Sequence, residues 1–364
     1  MEIPRWEDWP HVVRTQQFSV AALEAIASHA GKFEEAIQQG KPLPRLSTLN
    51  RRIIKLVFYE SSTRTADTFW TAGHWLNCSV RDIPDPSTFS SAVKGESFRD
   101  AIAALTRCGG MGDYQSADCI VIRHKEEGAA AQAAKIVETA NGDGMFHRPL
   151  AVINAGDGSG QHPTQALGDL CTLFRERRNE GRHPLDEMTL LLPGQVAGSR
   201  TSNSLLYLIG KFGQKHPLHV IFSVLPGLEP SPDILEYLGR HRVSYCFEPN
   251  FESAIPEADV IYMMRIQRER QNVKEHGYTL ADKERYVFRK EHLSLLKAGA
   301  FVMHPLPINR DPNDPPAEID DELTPLALAG DSRLAWFRQS LRHIVSRAAL
   351  LDLIFAGCDA GWAH

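Results

Sequence analysis

FYESSTRTADTF, residues 58 to 69, joins an apolar segment directly to a helical pattern. The residues before it, Ile53 to Phe58, form a short apolar run that is typical of a buried strand. After Thr65, apolar residues recur at the spacing of a helix. Between the two stand hydroxylated residues on either side of Arg64, where the strand would end and the helix begin. A strand that passes through a short turn into a helix predicts an α/β fold.

The same alternation of short apolar runs and longer helical patterns continues along the chain. Runs of strand length occur at 53–59, 118–124, 150–155, 188–194, 218–224, 258–264 and 300–304. Helical patterns occur at 65–77, 97–107, 127–140, 163–178, 200–212, 231–240 and 334–356. Short runs rich in β-branched residues and separated by helices are typical of parallel sheets covered on both faces. The predicted fold class is α/β, with two doubly wound domains that each contain a mainly parallel sheet flanked by helices.

The length of 364 residues favours two domains joined by a hinge. The polar stretch RERRNEGRHP (175–184) follows a long helical pattern, and we place the hinge there or just before it. The first domain is expected to comprise residues 1–178, completed by a C-terminal helix at about 334–364. The second domain is expected to comprise residues 179–333. Two polar stretches without periodicity, 141–148 and 311–325, are predicted to be loops.

Composition and charge exclude several classes of function. With 40 basic and 45 acidic residues the formal charge is −5, which argues against a nucleic-acid partner bound through its phosphates. No apolar run approaches the roughly 20 residues of a membrane span, so no membrane contact is expected, and the first residues lack the pattern of a signal peptide. The six cysteines are scattered without a C-x-x-C pair, which predicts reduced thiols in a cytoplasmic protein. The sequence indicates neither a metal site nor a nucleotide cofactor.

The turn at residues 62–65 has the composition of an anion-binding site. Ligands of open α/β sheets collect beyond the carboxyl ends of the strands, where helix N-termini offer free N–H groups. Ser62, Thr63 and Thr65 add hydroxyl donors, and Arg64 adds a guanidinium suited to phosphate or carboxylate. Ser and Thr before a helix are usually simple N-caps. Four such residues in a row, counting Ser61, with an arginine among them favour anion binding over a cap.

Three further strand ends carry residues of the same kind. In INAGDGSGQHPTQALGDLCTLF (153–174), a glycine-rich turn is followed by His162 and Gln165, which share a helix face. Arg123 ends an apolar strand and would need an anionic partner, either a structural carboxylate or a ligand. In VMHPLPINRD (302–311), Leu306–Pro307 is a candidate for a cis peptide bond. Such a collection of donors suits a small, multiply anionic substrate and charge that develops on oxygen.

Three other charged stretches are less telling when each is taken alone. Arg200 begins a helical pattern in SRTSNSL (199–205), and Arg265 and Gln267 lie on one face of an extended segment. Lys94 lies in SSAVKGES (90–97), which has the composition of an exposed loop. Solvated surface charge is the more common reason for such residues.

Taken together, the motifs resemble those of aspartate carbamoyltransferases, within the aspartate/ornithine carbamoyltransferase superfamily. SSTRT, KGES, VIRHxxxGAA, NAGDGSGQHPTQALGDL, an RT at a helix start, RxQxER and HPLP follow in the same order over residues 45 to 355. HPTQ, HPLP and RIQRER distinguish the chain from the ornithine enzymes, which typically carry HPCQ, HCLP and DxWxSMG. The resemblance implies transfer of the carbamoyl group from carbamoyl phosphate to L-aspartate, a step of pyrimidine biosynthesis that needs no cofactor.

The resemblance also implies the residues that bind carbamoyl phosphate, and it assigns them to the first domain and to the HPLP turn. It implies phosphate binding by Ser62, Thr63, Arg64, Thr65 and the loop residue Ser90. It implies polarisation of the carbonyl oxygen by Thr65, Arg123 and His162. The carbamoyl NH2 would be held by Gln165 and the backbone of Pro305 and Leu306.

For the acceptor, the resemblance implies that Arg200 and Arg265, with Gln267 beside them, bind the two carboxylates of aspartate. Lys94 would serve both catalysis and aspartate binding from a loop that reaches into the site of a neighbouring subunit. The resemblance therefore implies a homotrimer with shared active sites. A regulatory chain or a dihydroorotase is a possible further partner.

Several positions depart from the usual pattern of the family. Ser61 stands where a proline is usual, and Ala66 where an arginine is usual. Ile308 and Asn309 separate HPLP from Arg310, and the stretches near 141–148 and 308–320 look like insertions. Two alternatives stay open on this ground: a carbamoyltransferase with a different amino acid acceptor, and a catalytically weak paralogue that serves as an assembly partner.

Overall fold

The computed structural model describes residues 11–47, 51–84, 95–106, 116–142, 150–179, 181–266 and 279–359. These residues form two compact units, the first drawn from Met1–Cys171 and Arg342–His364 and the second from Thr172–Leu341. Each unit contains one parallel sheet with helices, so the predicted α/β class is confirmed. Among the helices of the described residues, none is long and apolar enough to cross a membrane.

The first unit is built on a four-stranded parallel sheet in the order β2-β1-β3-β4. Its strands are β1 (Ile53–Phe58), β2 (Ser79–Pro84), β3 (Cys119–His124) and β4 (Ala151–Asp157). Its helices are α1 (Val20–Gln38), α2 (Thr63–Trp75), α3 (Phe98–Thr106), α4 (Ala129–Gly142), α5 (Pro163–Glu176) and α11 (Trp336–Asp359), the last two of which continue into the second unit.

The second unit contains a five-stranded parallel sheet in the order β7-β6-β5-β8-β9. The strands are β5 (Met188–Gly194), β6 (Leu218–Val224), β7 (Ser244–Phe247), β8 (Val260–Tyr262) and β9 (Phe301–Met303). The helices are α6 (Arg200–Gly210), α7 (Pro232–Arg240), α8 (Phe251–Ala254), α9 (Leu280–Glu284) and α10 (Leu323–Leu328).

The inner strands are buried on both faces, as continuous apolar runs predict for a parallel sheet. All six residues of the inner strand β3 are buried, and so are all seven of the end strand β4, where Val12 forms a parallel bridge with Ile153. In the second unit, Ile261 and Val302 from neighbouring strands pack in one cluster with Phe288 and Trp336. The strands are therefore rigid supports for the turns that follow them.

Six elements of the described residues were missing from the sequence prediction: the short helices α8, α9 and α10, the longer helix α1, and strands β2 and β7. Helix α1 was not predicted, although Ser19 caps it by accepting a hydrogen bond from the N–H of Ala22 and its apolar residues are buried at helical spacing. Strands β2 and β7 were also missed. All four residues of β7 are exposed, and none of residues 79–83 of β2 is buried, so neither strand has the apolar run of a buried strand.

The two units divide inside helices, between Cys171 and Thr172 in α5 and between Leu341 and Arg342 in α11. The sequence placed these boundaries at 178/179 and 333/334.

A buried carboxylate joins α1 to α11 within the first unit. Asp352 accepts four hydrogen bonds: from His29 Nε2 at 2.9 Å, from the N–H groups of Leu46 and Ser47 at 2.7 and 3.0 Å, and from Ser47 Oγ at 2.5 Å. The Asp352 side chain is fully buried. A buried carboxylate is stable only when its oxygens are hydrogen-bonded. This network therefore holds His29 of α1, and the chain at Leu46 and Ser47, against α11.

Candidate active site

The predicted anion-binding residues of the first unit lie beyond the carboxyl ends of three neighbouring strands. The turn at residues 62–65 follows β1, Arg123 lies at the end of β3, and His162 follows β4. These strands are adjacent in the order β1-β3-β4 and run parallel. The structure therefore brings the three motifs to one edge of one sheet, as the sequence predicted.

The N-terminus of α2 is free of a side-chain cap. Ser62 occupies the N-cap position with extended backbone, but its hydroxyl makes no cap hydrogen bond. Within the described residues, no acceptor bonds to the N–H groups of Thr63, Arg64 or Thr65. Arg64 is exposed and Thr65 is buried. The cap explanation is therefore not supported, and the first helical turn offers N–H groups and a guanidinium to an anion.

Arg123 forms an ion pair with a carboxylate of the protein itself, that of Glu60. Its Nη2 donates to Glu60 Oε1 at 3.0 Å and its Nη1 donates to the carbonyl of Ala155 at 3.1 Å. The Arg123 side chain is 9% exposed, whereas that of Glu60 is 37% exposed. The sequence left the partner open between a carboxylate and a ligand, and Glu60 is a carboxylate partner that sequence reasoning did not single out. The only signal was its place in the quoted stretch, two residues before Ser62.

His162 and Gln165 lie at the start of α5, where Pro163 is the first helical residue. His162 is buried and its carbonyl accepts the N–H of Gln165 at 3.0 Å. Gln165 Nε2 donates to Asp169 Oδ1 at 3.2 Å, and that carboxylate lies 3.3 Å from His343 Nε2. Because the amide nitrogen of Gln165 is bound inward, its amide oxygen is the group left for a ligand N–H.

The glycine-rich turn before His162 packs against the turn that follows β3. Gly158 has φ +52°, and a Cβ there would lie 2.5 Å from the carbonyl oxygen of Lys125. The N–H of Gly158 donates to the carbonyl of His124 at 2.9 Å, and the N–H of Gly128 donates to Asp157 Oδ2 at 2.9 Å. A side chain at position 158 would force the two turns apart, so glycine is required there.

A buried arginine from α11 supports the α2 turn from below. Arg347 Nη1 donates to Thr68 Oγ1, and the Thr68 hydroxyl lies 2.7 Å from the Arg64 carbonyl that it bonds. The Arg347 guanidinium also lies 4.8 Å from the centre of the Phe69 ring. Burial lowers the pKa of Arg347 from 12.5 to about 9, with Arg123 acting in the same direction. Arg347 is recognisable in the sequence as a lone arginine inside the apolar helical stretch HIVSRAALLDLIF (343–355).

The second unit presents its predicted residues in the same manner. Arg200 begins α6 after β5, Arg265 follows β8, and Pro305 and Leu306 follow β9. These three strands are neighbours in the order β5-β8-β9, and they are parallel. Ser199 caps α6 by accepting the N–H of Ser202, so Arg200 stands at a fixed helix start. Both arginines are half-buried.

Leu306–Pro307 is a cis peptide bond, as predicted, and Leu306 has φ +50°. The 311–325 stretch is irregular up to Leu323, where α10 begins. Ser90, Lys94 and Gln267 lie outside the described residues, as does most of the 141–148 stretch. Those predicted site residues that the structure describes offer mainly cationic groups and N–H donors. Such groups suit anionic substrates rather than a metal ion.

Comparison with known protein families matches the two halves of the chain to two domains of the same enzymes. The carbamoyl-P binding domain of aspartate/ornithine carbamoyltransferases matches residues 10–175. The Asp/Orn binding domain of the same enzymes matches residues 186–354. The chain belongs to the aspartate/ornithine carbamoyltransferase family. The predicted resemblance is thereby confirmed.

Individual relatives of this family are similar over nearly the whole chain. The chloroplastic aspartate carbamoyltransferase of Oryza sativa subsp. japonica is 34% identical over 349 residues, which are 95% of this chain and 85% of the relative. The aspartate carbamoyltransferase catalytic subunit of Corynebacterium jeikeium is 34% identical over 85% of this chain and 91% of its own length.

A solved structure of aspartate transcarbamoylase from Trypanosoma cruzi, in complex with carbamoyl phosphate and aspartate, superposes with a TM-score of 0.78 at 27% identity, covering 96% of this chain and 99% of its own. The catalytic subunit of the M. jannaschii enzyme superposes with a TM-score of 0.73 at 31% identity, covering 94% of this chain and 96% of its own. The two-domain fold is thus shared with enzymes of this family.

Proposed function

We propose that this enzyme transfers the carbamoyl group from carbamoyl phosphate to the amino group of L-aspartate, giving N-carbamoyl-L-aspartate and phosphate in pyrimidine biosynthesis. One observation carries the proposal: an uncapped helix N-terminus with Arg64, together with Arg123 and His162, at three adjacent strand ends of the unit that matches a carbamoyl-P binding domain. The T. cruzi structures with carbamoyl phosphate, aspartate and N-(phosphonacetyl)-L-aspartic acid support the choice of substrates.

In the proposed reaction, the first helical turn of α2 and Arg64 bind the phosphate. The aspartate amine attacks the carbonyl carbon, and the carbonyl oxygen becomes an oxyanion in a tetrahedral intermediate. Thr65, Arg123 and His162 stabilise that oxygen, and each such donor contributes roughly 3 kcal/mol to lowering the barrier. The C–O bond to phosphate then breaks, the phosphate leaves with the electron pair, and it takes the proton released by the amine. No separate protein base is required.

The two arginines of the second unit suit a dicarboxylic acceptor. A guanidinium binds a carboxylate through two parallel hydrogen bonds, so Arg200 and Arg265 together match the two carboxylates of aspartate. Ornithine would place an ammonium where one carboxylate is expected, and two nearby cations would repel it. We include Gln267 beside them as part of the proposal.

Assembly and location form a further part of the proposal. We propose a homotrimer in which Ser90 and Lys94 act in the site of the neighbouring subunit, and two domains at 1–178 with about 334–364, and at 179–333. Several bacterial relatives are named catalytic subunits, which supports an assembly. The free thiols of the five described cysteines support a reducing, cytoplasmic location.

The decisive experiment is a transfer assay with carbamoyl phosphate and a panel of acceptors: L-aspartate, L-ornithine and other amino acids. Formation of N-carbamoyl-L-aspartate with stoichiometric phosphate release is expected, with ornithine inert. Transfer to another amino acid at a higher kcat/KM would refute the acceptor assignment. Failure with every acceptor, in a protein that is folded and assembled, would refute the proposed activity.

A further inference from the structure

The turn that follows β9 is held from outside by a carboxylate that the family resemblance did not assign. This turn runs from His304 to Asn309 and contains Pro305 and Leu306. Two of its residues are prolines without N–H groups, and the N–H of Leu306 is bonded to His304 Nδ1 at 2.8 Å. In the part of the chain that the structure describes, no donor bonds to the carbonyl oxygens of Pro305 or Leu306. At Pro305 and Leu306 the turn therefore presents two carbonyl acceptors and no free N–H donor to a ligand.

The hydrogen bonds fix which nitrogen of His304 carries the proton. Because Nδ1 accepts the N–H of Leu306, it is unprotonated, and Nε2 is the donor. Nε2 donates to Glu318 Oε1 at 2.8 Å, and both groups are buried. The same carboxylate accepts the N–H of Asn309, at 3.1 Å to one oxygen and 3.2 Å to the other. Glu318 thus bonds to both ends of the turn.

Glu318 is itself held in place by its own backbone. Its carbonyl accepts the N–H of Phe288 at 2.9 Å, and Ile319 forms a parallel bridge with Phe288. Burial alone would raise the pKa of Glu318, but the hydrogen bonds from His304 and Asn309 keep that pKa below its ordinary value. The carboxylate is therefore ionised at neutral pH, and it stays on the turn.

Asp314, four residues before Glu318, makes two other contacts, and neither involves the backbone of residues 304–307. Asp314 Oδ1 binds the buried ammonium of Lys283 at 2.9 Å, and Asp314 Oδ2 accepts the side-chain amide of Asn309 at 2.8 Å. Substitution of Asp314 therefore perturbs the stability of this segment without removing any hydrogen bond made by Glu318. It provides a matched control.

We propose that Glu318 is a positioning residue that, through His304 and Asn309, sets the selectivity of the enzyme for a carbamoyl donor over an acyl donor without an amino group. This inference rests on the proposed function. The carbamoyl NH2 has two N–H donors, and the carbonyls of Pro305 and Leu306 are acceptors that suit them. A methyl group in the same place would leave those carbonyls without partners, so a rigid turn rejects it. A turn that can move away from the bound donor would no longer discriminate between an NH2 and a methyl group.

Acetyl phosphate tests this directly, since it replaces the NH2 of carbamoyl phosphate by a methyl group. In Glu318→Gln, one carboxylate oxygen becomes an NH2 that faces either His304 Nε2–H or the Asn309 N–H, so at least one hydrogen bond is lost. We expect kcat/KM for carbamoyl phosphate to fall about thirtyfold, while kcat/KM for acetyl phosphate changes less than about threefold. The ratio of the two should therefore fall about tenfold or more.

His304→Gln is the second variant, because it removes the acceptor for the Leu306 N–H by a different route. It should lower the same ratio, whereas Asp314→Asn should leave the ratio unchanged even where it lowers the melting temperature. Equal loss with both donors in Glu318→Gln and His304→Gln, or a fall of the ratio in Asp314→Asn of similar size, would overturn the inference and leave the proposed function standing. Absence of transfer by the unsubstituted enzyme would overturn both.

Discussion

Replacement of Arg347 by methionine should stabilise the fold and weaken the enzyme. Arg347 is 2% exposed, and its pKa is lowered by burial from 12.5 to about 9. At about 1.4 kcal/mol for each pKa unit, the buried charge costs on the order of 5 kcal/mol at neutral pH. The cation–π contact with Phe69 and the hydrogen bond to Thr68 return roughly 3 kcal/mol of this. Arg347→Met should therefore raise the free energy of unfolding by about 1–3 kcal/mol.

The expected loss of function has a separate physical cause. Arg347 bonds the hydroxyl that in turn bonds the Arg64 carbonyl, and its positive charge lies near enough to Arg123 to lower the pKa of Arg347. Its removal loosens the α2 turn and lowers the positive potential beneath the phosphate-binding groups. The KM for carbamoyl phosphate should rise about tenfold, which corresponds to ~1.4 kcal/mol.

Urea denaturation at pH 7 and steady-state kinetics measure these two effects on the same variant. Arg347→Lys is the control, because it keeps a buried charge without the planar guanidinium and should not gain stability. Destabilisation of Arg347→Met by more than about 1 kcal/mol would contradict the expected gain in stability. An unchanged KM in this variant would show that the arginine has no role in the site.

Four further experiments test the proposed site and fold. Arg64→Ala should lower kcat/KM for carbamoyl phosphate by about 100-fold or more with an unchanged melting temperature; near-native activity would contradict its role in phosphate binding. Arg265→Ala should still bind carbamoyl phosphate in calorimetry but lose transfer to aspartate, and a loss of carbamoyl phosphate binding would contradict that division. Mixed trimers of Lys94→Ala and His162→Ala should regain activity that neither parent has; hybrids that form and stay inactive would refute a shared site. Asp352→Asn should lower the free energy of unfolding by about 3 kcal/mol at pH 7. Because burial would raise the pKa of Asp352 but its hydrogen bonds hold it below 3.8, wild-type stability falls as the pH drops through that lowered pKa. The difference between the two proteins should therefore shrink in urea titrations at low pH, and a difference independent of pH would contradict the ionised network.

The parts of the fold that the sequence predicted are those with a local physical cause. Inner strands such as β3 and β5 are buried on both faces, so each is a continuous apolar run that can be recognised alone. Edge strand β7 is exposed at every position, and its sequence, SYCF, has no such run. Only its pairing with β6 defines it as a strand. Helix α1 had a helical pattern and a cap, and its omission was an error of the sequence prediction rather than a limit of the sequence.

The same distinction applies to the candidate site. Residues that contact a ligand directly are clustered in short turns, because a helix N-terminus and its neighbouring donors must converge on one anion. Residues that hold those turns come from distant parts of the chain: Arg347 lies 279 residues from Thr68 in sequence. No local pattern can pair them.

The supporting residues share a feature that decides how their substitution should act. Arg347 reaches the backbone of α2 through Thr68, and Glu318 reaches the backbone of the 304–309 turn through His304. Each therefore fixes the position of a main-chain group. The side chains that contact the ligand cannot take over this positioning. Because main-chain groups stay present when their support is removed, these variants should change the preference among substrates before they abolish binding. Side chains such as Arg64 supply the binding group itself, so their removal should abolish binding first.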